Sequence, residues 1–212
     1  MQPTYAINEI FYSLQGEGVR AGTPNVFVRF AGCNLTCSRN GETGFDCDTE
    51  FMSSRALTKE EILAAALLHY PDGATGKSVI FTGGEPALQL DQELVDAFKK
   101  AGFYTAIETN GTRQLPVGLD WICVSPKTAE HTLVQPRSWD DMPRRVDELK
   151  YVRHADHGIP KPSLAAVHHL LSPAFSADVR ETVAAQENCI QLVKQHPTWR
   201  LSVQLHKLWT VR

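Results

Sequence analysis

The sequence predicts an α/β fold, a partial and open TIM-like barrel of about six parallel strands, in one domain over residues 1–212. Short apolar runs alternate with segments of helical periodicity, which is typical of parallel strands joined by right-handed crossovers. Polar and glycine residues follow the apolar runs, which predicts an active site at the carboxyl ends of the strands. The chain has 212 residues, whereas a complete eight-stranded barrel typically needs about 250, so we expect an incomplete barrel.

Each predicted strand is a short apolar run bounded by turn-forming residues. In chain order the runs are Ile7 to Leu14, Asn25 to Phe30, Ser78 to Phe81, Tyr104 to Glu108, Trp121 to Val124, Glu148 to Val152, His168 to Leu171 and Arg200 to Gln204. We expect about six of them to pair in parallel.

Three segments between these runs have helical periodicity. Thr58 and Glu61 have the spacing of a capping box, and apolar residues at helical spacing follow them. The second helix is predicted from about Asp91 to Ala101 and the third from about Asp178 to Gln195.

A cluster of cysteines follows the strand that ends at Phe30. Cys33, Cys37 and Cys47 are three of the five cysteines of the chain, and they lie in a polar, glycine-containing loop. Thiolates so close in sequence converge on one centre at little cost in loop-closure entropy. Three cysteines leave one coordination position open, so the loop is predicted to be a metal or iron–sulfur site that carries chemistry.

Two structural explanations of the cysteines are weaker. A structural zinc site closes with four Cys or His ligands, but the nearest histidine, His69, lies outside the loop in a helical pattern. A disulfide framework requires an oxidising compartment and usually a small domain without a large core. Cys123 and Cys189 lie in apolar patterns and are predicted to be buried core thiols.

Composition and charge narrow the function classes. The chain is 42% hydrophobic and carries a net charge of −3, and its basic residues are scattered along the sequence. We therefore expect that it binds neither nucleic acid directly nor a membrane. No amino-terminal signal peptide and no run of about 20 apolar residues is apparent, which predicts a cytoplasmic protein without a membrane span. A small-molecule partner is expected.

Several motifs recur at the ends of predicted strands. They are the cysteine loop, Gly83-Gly84-Glu85-Pro86, Glu108-Thr109-Asn110-Gly111 and Ser125-Pro126-Lys127. In this order they resemble the radical S-adenosylmethionine (SAM) enzymes. Three further motifs, Ser13-Leu14-Gln15-Gly16-Glu17-Gly18, Cys47-Asp48-Thr49 and Gln204-x-His206-Lys207, resemble the 7-carboxy-7-deazaguanine synthase family of the queuosine pathway, which supplies a tRNA modification.

The cysteine spacing departs from the usual radical SAM pattern, Cys-x3-Cys-x2-Cys. Here nine residues separate Cys37 from Cys47, and Gly41 and Gly44 would allow this insert to fold back. The assignment of Cys47 as the third ligand therefore depends on the Asp48-Thr49 pair that follows it.

The resemblance implies a radical SAM core with a [4Fe–4S] cluster bound by Cys33, Cys37 and Cys47. SAM would chelate the fourth iron, and an electron from the cluster would generate a 5′-deoxyadenosyl radical. By the same resemblance, ten residues would contact SAM: Gly83, Gly84, Glu85, Ser125, Pro126, Lys127, Ser172, Pro173, Ala174 and Phe175. Glu85 would offer its carboxylate to the methionine ammonium. The alternative to a SAM contact is that Lys127 is a solvated surface lysine.

The resemblance further implies a lyase that converts 6-carboxy-5,6,7,8-tetrahydropterin to 7-carboxy-7-deazaguanine with loss of ammonia. The residues that would contact this pterin are Leu14, Gln15, Gly16, Glu17, Arg29, Thr82, His206 and Arg212. Glu108 either contacts a ribose or pairs with a neighbouring side chain.

The family resemblance also implies Mg²⁺, a homodimer and a flavodoxin-type or other electron donor. Thr49 would bind Mg²⁺ through its hydroxyl, with Asp48 as the competing ligand. One alternative function is an activase that places a glycyl radical on a partner protein with the same cluster and SAM. Another is an electron-transfer protein, which would ordinarily bind its cluster with four cysteines.

Overall fold

A continuous sheet runs through the computed structural model, which describes residues 3–38, 47, 49–127, 146–162, 164–209 and 211. Over these residues the sheet has nine strands: β1 (Thr4–Leu14), β2 (Pro24–Phe30), β3 (Arg55–Thr58), β4 (Ser78–Gly83), β5 (Tyr104–Thr109), β6 (Trp121–Val124), β7 (Val146–Arg153), β8 (Ala166–Pro173) and β9 (Trp199–Leu201).

The strand order confirms the predicted α/β class and the open, incomplete barrel. The order across the sheet is β3-β1-β2-β4-β5-β6-β7-β8-β9. From β2 onward the neighbours β2, β4, β5, β6, β7, β8 and β9 pair in parallel. This is one parallel strand more than the sequence suggested. β1 is antiparallel to both β2 and β3, so a hairpin forms one edge of the sheet.

The three predicted helices are present with nearly the predicted bounds. They are α1 (Lys59–Leu67), α2 (Gln92–Lys100) and α3 (Val179–Gln195). Thr58 closes the predicted capping box with Glu61, and Asp91 and Asp178 accept backbone N–H bonds at the other two amino termini. No helix among the described residues is both long and apolar enough to cross a membrane.

The end of the chain differs from the sequence prediction. The last strand is β9, which ends at Leu201, and a short helix, α4 (Leu205–Trp209), follows it. His206 therefore lies on a helix and not beside a terminal strand. The backbone N–H of Leu205 donates to the carbonyl of Gly16, so this helix is held against the loop that follows β1.

Aromatic side chains dominate the core under the first strands. The ring of Phe81 packs edge-on against Phe98, with centroids 5.3 Å apart, and Phe98 packs in the same way on Phe103. Cys123 and Cys189 are fully buried, as the sequence predicted. Charged residues interrupt the core at β7, where Glu148, Lys150 and Arg153, taken as whole residues, are each at most 6% exposed. Buried charges require partners, and those of Lys150 are Glu17, in the loop after β1, and Glu108, near the end of β5.

Candidate active site

A cavity of about 650 Å³ opens at the carboxyl ends of the parallel strands. This volume is typical of sites that enclose small molecules. The cavity is lined by most of the residues that the sequence singled out: Leu14, Gln15, Gly16, Glu17, Arg29, Cys33, Cys37, Cys47, Thr49, Thr82, Gly83, Gly84, Ser125, Lys127, Ser172, Pro173, Ala174, Phe175 and His206. The prediction of an active site at this end of the sheet is therefore supported by geometry.

Glu85 is placed differently from the expectation. Its carboxylate is fully buried, and it accepts hydrogen bonds from the Thr109 hydroxyl and the Asn110 backbone N–H, both at 2.7 Å. Burial raises the pKa of this carboxyl, and the hydrogen bonds to Asn110 and Thr109 oppose that effect. The Glu85 side chain thus links the exits of β4 and β5 and does not line the cavity.

Two other expected residues do not line the cavity or cannot be placed. Pro126 is absent from the described cavity lining, although Ser125 and Lys127 on either side of it are present. Arg212 lies outside the described residues, as do Asp48 and the glycines of the widened cysteine spacing.

One wall of the cavity carries the cysteines, and we call Cys33, Cys37, Cys47, Gly83 and Gly84 the thiol wall. Cys33 and Cys37 are partly buried, whereas Cys47 is exposed. Burial raises the pKa of the Cys33 thiol, and its sulfur accepts a hydrogen bond from the Leu35 backbone N–H at 3.4 Å.

Three cysteines on one wall of the cavity are a donor set that fits an iron–sulfur cluster. Among the described residues, no three Cys, His, Asp or Glu side chains come close enough together to hold one metal ion. A cubane cluster takes one thiolate per iron, so its ligands lie farther apart than the ligands of a single ion. Three thiols that open onto one cavity satisfy this requirement.

The glycine pair of the thiol wall brings two backbones together. The backbone N–H of Gly84 donates to the Phe30 carbonyl at 3.2 Å, and that of Glu85 donates to the Gly32 carbonyl at 2.9 Å. A Cβ atom on Gly84 would collide with the Gly32 carbonyl and with the Cβ of Cys33. Glycine is therefore required here for the β4 exit to support the cysteine loop.

Side-chain amides hold the cysteine loop from the other side. Asn110, at the end of β5, donates to the Asn34 side chain at 3.1 Å, and Asn34 donates to the Thr112 hydroxyl at 2.8 Å. The Gly32 backbone N–H donates to the Phe51 carbonyl at 3.0 Å, which joins the two ends of the loop. The described part of the loop is thus fixed on two sides.

A second set of lining residues is charged or polar, and we call Gln15, Glu17, Glu108, Lys150 and Gln204 the carboxylate wall. The Lys150 ammonium lies 2.7 Å from a Glu17 oxygen and 3.2 Å from a Glu108 oxygen. The amide of Gln204 donates to the other oxygen of Glu17 at 3.0 Å, and that of Gln15 donates to the other oxygen of Glu108 at 2.9 Å. Every carboxylate oxygen therefore has a partner, and both carboxylates still face the cavity.

The electrostatics of this wall favour its ionised form. Burial alone raises the pKa of Glu17, but the Lys150 ammonium outweighs it and lowers that pKa to about 2. Burial lowers the pKa of Lys150, but Glu108 and Glu17 together raise it well above the usual lysine value. Two carboxylates and one ammonium leave one negative charge uncompensated within the trio.

The loop that carries Gln15 and Glu17 is fixed by contacts with β7 and the segment after β9. The Gly18 backbone N–H donates to the Ser202 hydroxyl at 3.0 Å, and that of Val19 donates to Glu148 at 3.1 Å. A Cβ atom on Gly16 would collide with the His206 ring. His206 therefore packs directly on the backbone of the predicted pterin-binding segment.

The cavity lining also includes an arginine and an aromatic pair. Arg29 donates through Nε to Glu9 at 2.9 Å, and its side chain is 21% exposed. The Phe11 and Phe27 rings stack nearly parallel with centroids 5.0 Å apart. Near Phe175 the Lys207 ammonium lies 3.7 Å from the ring centroid.

Sequence reasoning missed several residues that line the cavity. Lys150, Glu9, Phe11 and Phe27 lie within strands, so their apolar or alternating context gave no functional signal. Glu108 pairs with Lys150 and Gln15, which is the second of its two sequence interpretations. The sequence context of Lys150 could have indicated its role, because a lysine in the middle of an otherwise apolar run needs a charged partner.

Comparisons with known proteins agree with this site. Residues 14–115 match the 4Fe-4S single cluster domain. A 7-carboxy-7-deazaguanine synthase from Bacteroides thetaiotaomicron is 42% identical over 97% of this chain and 98% of the relative. The enzyme of the same name from Burkholderia multivorans is 41% identical over 96% of this chain and 97% of the relative.

A solved structure is similar over nearly the whole chain as well. The crystal structure of QueE from Escherichia coli superposes with a TM-score of 0.69 at 27% identity, covering 96% of this chain and 95% of that one. The open parallel sheet described above is therefore shared with a known structure.

Proposed function

The chain belongs to the 7-carboxy-7-deazaguanine synthase family, and from this premise we propose how its residues perform the reaction of that family. It is a radical SAM enzyme, a lyase that converts 6-carboxy-5,6,7,8-tetrahydropterin to 7-carboxy-7-deazaguanine with loss of ammonia, in queuosine biosynthesis. One observation carries the residue assignments: three cysteines and the Glu17–Lys150–Glu108 cluster line the same cavity.

Cys33, Cys37 and Cys47 would hold a [4Fe–4S] cluster through one thiolate each. When bound, the cluster and SAM supply the one-electron chemistry that starts the rearrangement of the ring. The protein positions the two small molecules and excludes water from the cavity. The close approach of Gly84 to Gly32 would keep the cluster loop in register with the SAM-contacting residues of β4.

SAM would lie along the exits of β4, β6 and β8. Gly83, Gly84, Ser125, Lys127 and the segment from Ser172 to Phe175 line this part of the cavity. Lys127 donates to the Ser125 hydroxyl at 2.9 Å, which directs its positive charge toward the position proposed for the SAM carboxylate. We do not assign Glu85 to SAM, because its carboxylate is satisfied inside the protein.

The pterin would bind between Arg29 and the carboxylate wall. The Arg29 guanidinium suits the substrate carboxylate, since a guanidinium and a carboxylate form charge-assisted hydrogen bonds. Leu14, Gln15, Gly16 and Glu17 would hold the opposite edge of the ring, with Thr82 and His206 beside it. Arg29 and Glu17 would then fix the two ends of the molecule.

Other parts of the proposal extend beyond the cavity. We propose that Thr49, which lines the cavity, binds Mg²⁺ together with substrate oxygens and water. A homodimer, a flavodoxin-type or other electron donor, and one domain over residues 1–212 complete the proposal. A reducing compartment such as the cytoplasm suits cysteines in the thiol form.

Product analysis tests the function. The protein is reconstituted anaerobically with iron and sulfide, then supplied with SAM, a reductant, Mg²⁺ and 6-carboxytetrahydropterin, and products are identified by mass spectrometry. We expect 7-carboxy-7-deazaguanine together with 5′-deoxyadenosine. Formation of 5′-deoxyadenosine only when a partner protein is added would instead indicate an activase.

A further inference from the structure

Lys150 is the most buried charged group of the cavity. Its side chain is 8% exposed, compared with 19% for Glu17 and 23% for Glu108. Its ammonium bridges carboxylates from two different parts of the chain, the loop after β1 and the end of β5. A lysine in this position is available to control how two substrate-facing carboxylates are placed and charged.

We propose that Lys150 is a positioning residue that holds the carboxylates of Glu17 and Glu108 adjacent and compensates their mutual repulsion, so that together they bind the amino-pyrimidinone edge of the pterin. The inference rests on the proposed function, because it takes the substrate from there. Lys150 itself need not touch the substrate, since its hydrogen bonds are directed to the two carboxylates.

The chemistry of the substrate edge matches the uncompensated charge of this wall. The 2-amino group and the adjacent ring N–H of a pterin form a row of donors, as in a guanidine, and carboxylates accept such donors in pairs. The Gln204 amide donates to one oxygen of Glu17, and the Gln15 amide donates to one oxygen of Glu108. These hydrogen bonds set the direction of the remaining lone pairs of the two carboxylates. The wall is therefore organised before the substrate arrives.

Without the ammonium, two partly buried carboxylates would face each other. Like charges in a site of low polarity cannot both stay ionised, so the pair would bind a proton near neutral pH. A protonated carboxyl presents a donor to a row of donors, and binding would weaken. The ammonium of Lys150 prevents this in the wild-type protein, where the pKa of Glu17 is lowered to about 2.

Other charged groups act on the trio from neighbouring elements and belong in the interpretation of any pH profile. They are His206, which acts on Glu17, Cys123, which acts on Lys150, and Arg20 and Glu148, which both interact with Glu108. Burial raises the pKa of Glu148, and one of its oxygens has no hydrogen-bond partner within the described residues.

Binding of the product and of a matched analogue tests this role. The probes are 7-carboxy-7-deazaguanine and 7-carboxy-7-deazahypoxanthine, which lacks the 2-amino group, and affinity is measured by anaerobic calorimetry on the reconstituted protein. We expect wild type to prefer the first probe by about tenfold or more, because one good charge-assisted hydrogen bond is worth at least that factor.

Lys150→Met should remove most of that preference at pH 7 and make affinity depend on pH. Relative to wild type at the same pH, its affinity for 7-carboxy-7-deazaguanine should fall about tenfold at pH 6–7 and recover toward pH 8.5, as the carboxylate pair loses its proton. Lys99→Met is the matched control, because Lys99 forms a 2.7 Å ion pair with Asp120, and neither residue lines the cavity. It should leave both measurements unchanged.

A double variant keeps the test decisive if Lys150→Met folds poorly. Lys150→Met with Glu108→Gln leaves one carboxylate, which ionises without a like-charged neighbour, so binding should be weak but independent of pH. A pH-dependent affinity in the double variant overturns the inference. So does a Lys150→Met protein that retains the wild-type preference for the amino probe at every pH.

The proposed function can fail separately. If wild type forms 7-carboxy-7-deazaguanine from 6-carboxytetrahydropterin but Lys150→Met binds the probes like wild type, only the role of Lys150 is lost. If wild type neither forms nor binds 7-carboxy-7-deazaguanine, the function itself is wrong.

Discussion

The two walls of the cavity are positioned by different forces. At the thiol wall, backbone lies against backbone, and the space beside Gly84 is too small for a Cβ atom. At the carboxylate wall, long side chains from distant segments meet, and Lys150 links Glu17 and Glu108 by charge. The thiol wall should therefore respond most strongly to added volume or lost ligands, and the carboxylate wall to changes of charge or pH.

The largest effect should follow from removing a thiol of the thiol wall. Cys47→Ala should lose most of the cluster iron after anaerobic reconstitution, because each thiolate binds one iron. Cys189→Ala is the control, since Cys189 is a fully buried residue of α3 that does not line the cavity. Iron and sulfide are quantified per protein, and equal iron contents in the two variants would refute the ligand assignment.

Added volume at the same wall should lower the stability of the protein. Gly84→Ala would force apart the backbones of Gly84 and Gly32, and overpacking of this kind costs about 1–3 kcal/mol of unfolding free energy. Gly158→Ala is the control, because a Cβ atom there would meet nothing within 4 Å. Denaturant unfolding measures both, and a Gly84→Ala protein as stable as the control would contradict the described packing.

Acid should act on the carboxylate wall through Glu17. Its pKa is lowered from the usual 4.5 to about 2, so its contribution is complete above pH 5 and is lost as pH falls toward 2. A shift of this size corresponds to roughly 3 kcal/mol.

The measurement compares the pH dependence of unfolding free energy between pH 5 and 2 in wild type and Glu17→Gln. Wild type should lose stability more steeply, because only wild type takes up a proton at this position on unfolding. Parallel curves would mean that the Glu17 carboxylate is not paired as described.

The smallest effects are expected from substitutions at Arg29 and at its partner Glu9, which should change the KM for the substrate. Arg29→Met should raise the KM for 6-carboxytetrahydropterin about tenfold, through loss of charge-assisted hydrogen bonds to its carboxylate. Glu9→Gln should change KM by less than about threefold, because the glutamine oxygen still accepts from Arg29 Nε. Steady-state kinetics measure both, and a larger effect at Glu9 than at Arg29 would show that the wrong residue is assigned to the substrate.

The sequence predicted the thiol wall better than the carboxylate wall. Cysteines and glycines at strand ends form local motifs, and the parallel sheet brings successive strand ends to one edge. The bridge at Lys150 joins residues 133 positions apart in sequence, Glu17 and Lys150, and no local pattern specifies such a pair. The strand prediction Glu148 to Val152 located the lysine but not its partner.

Local contacts explain where Glu85 and two short elements differ from the sequence expectation. Glu85 belongs to the Gly-Gly-Glu-Pro turn, yet its carboxylate caps the short helical turn Pro86–Leu88 by accepting from the Ala87 backbone N–H. β3 is only four residues long and is exposed at its start, so it has no clear alternation. α4 was missed because its five residues are too few for helical periodicity to appear.

The most direct test of the account concerns the open coordination position of the thiol wall. Electron paramagnetic resonance of the reduced, anaerobically reconstituted protein is recorded before and after addition of SAM. We expect a cluster signal that changes on addition, because three protein thiolates leave one iron for SAM. A cluster signal that SAM leaves unchanged, or a protein that binds zinc in place of iron, would contradict the account.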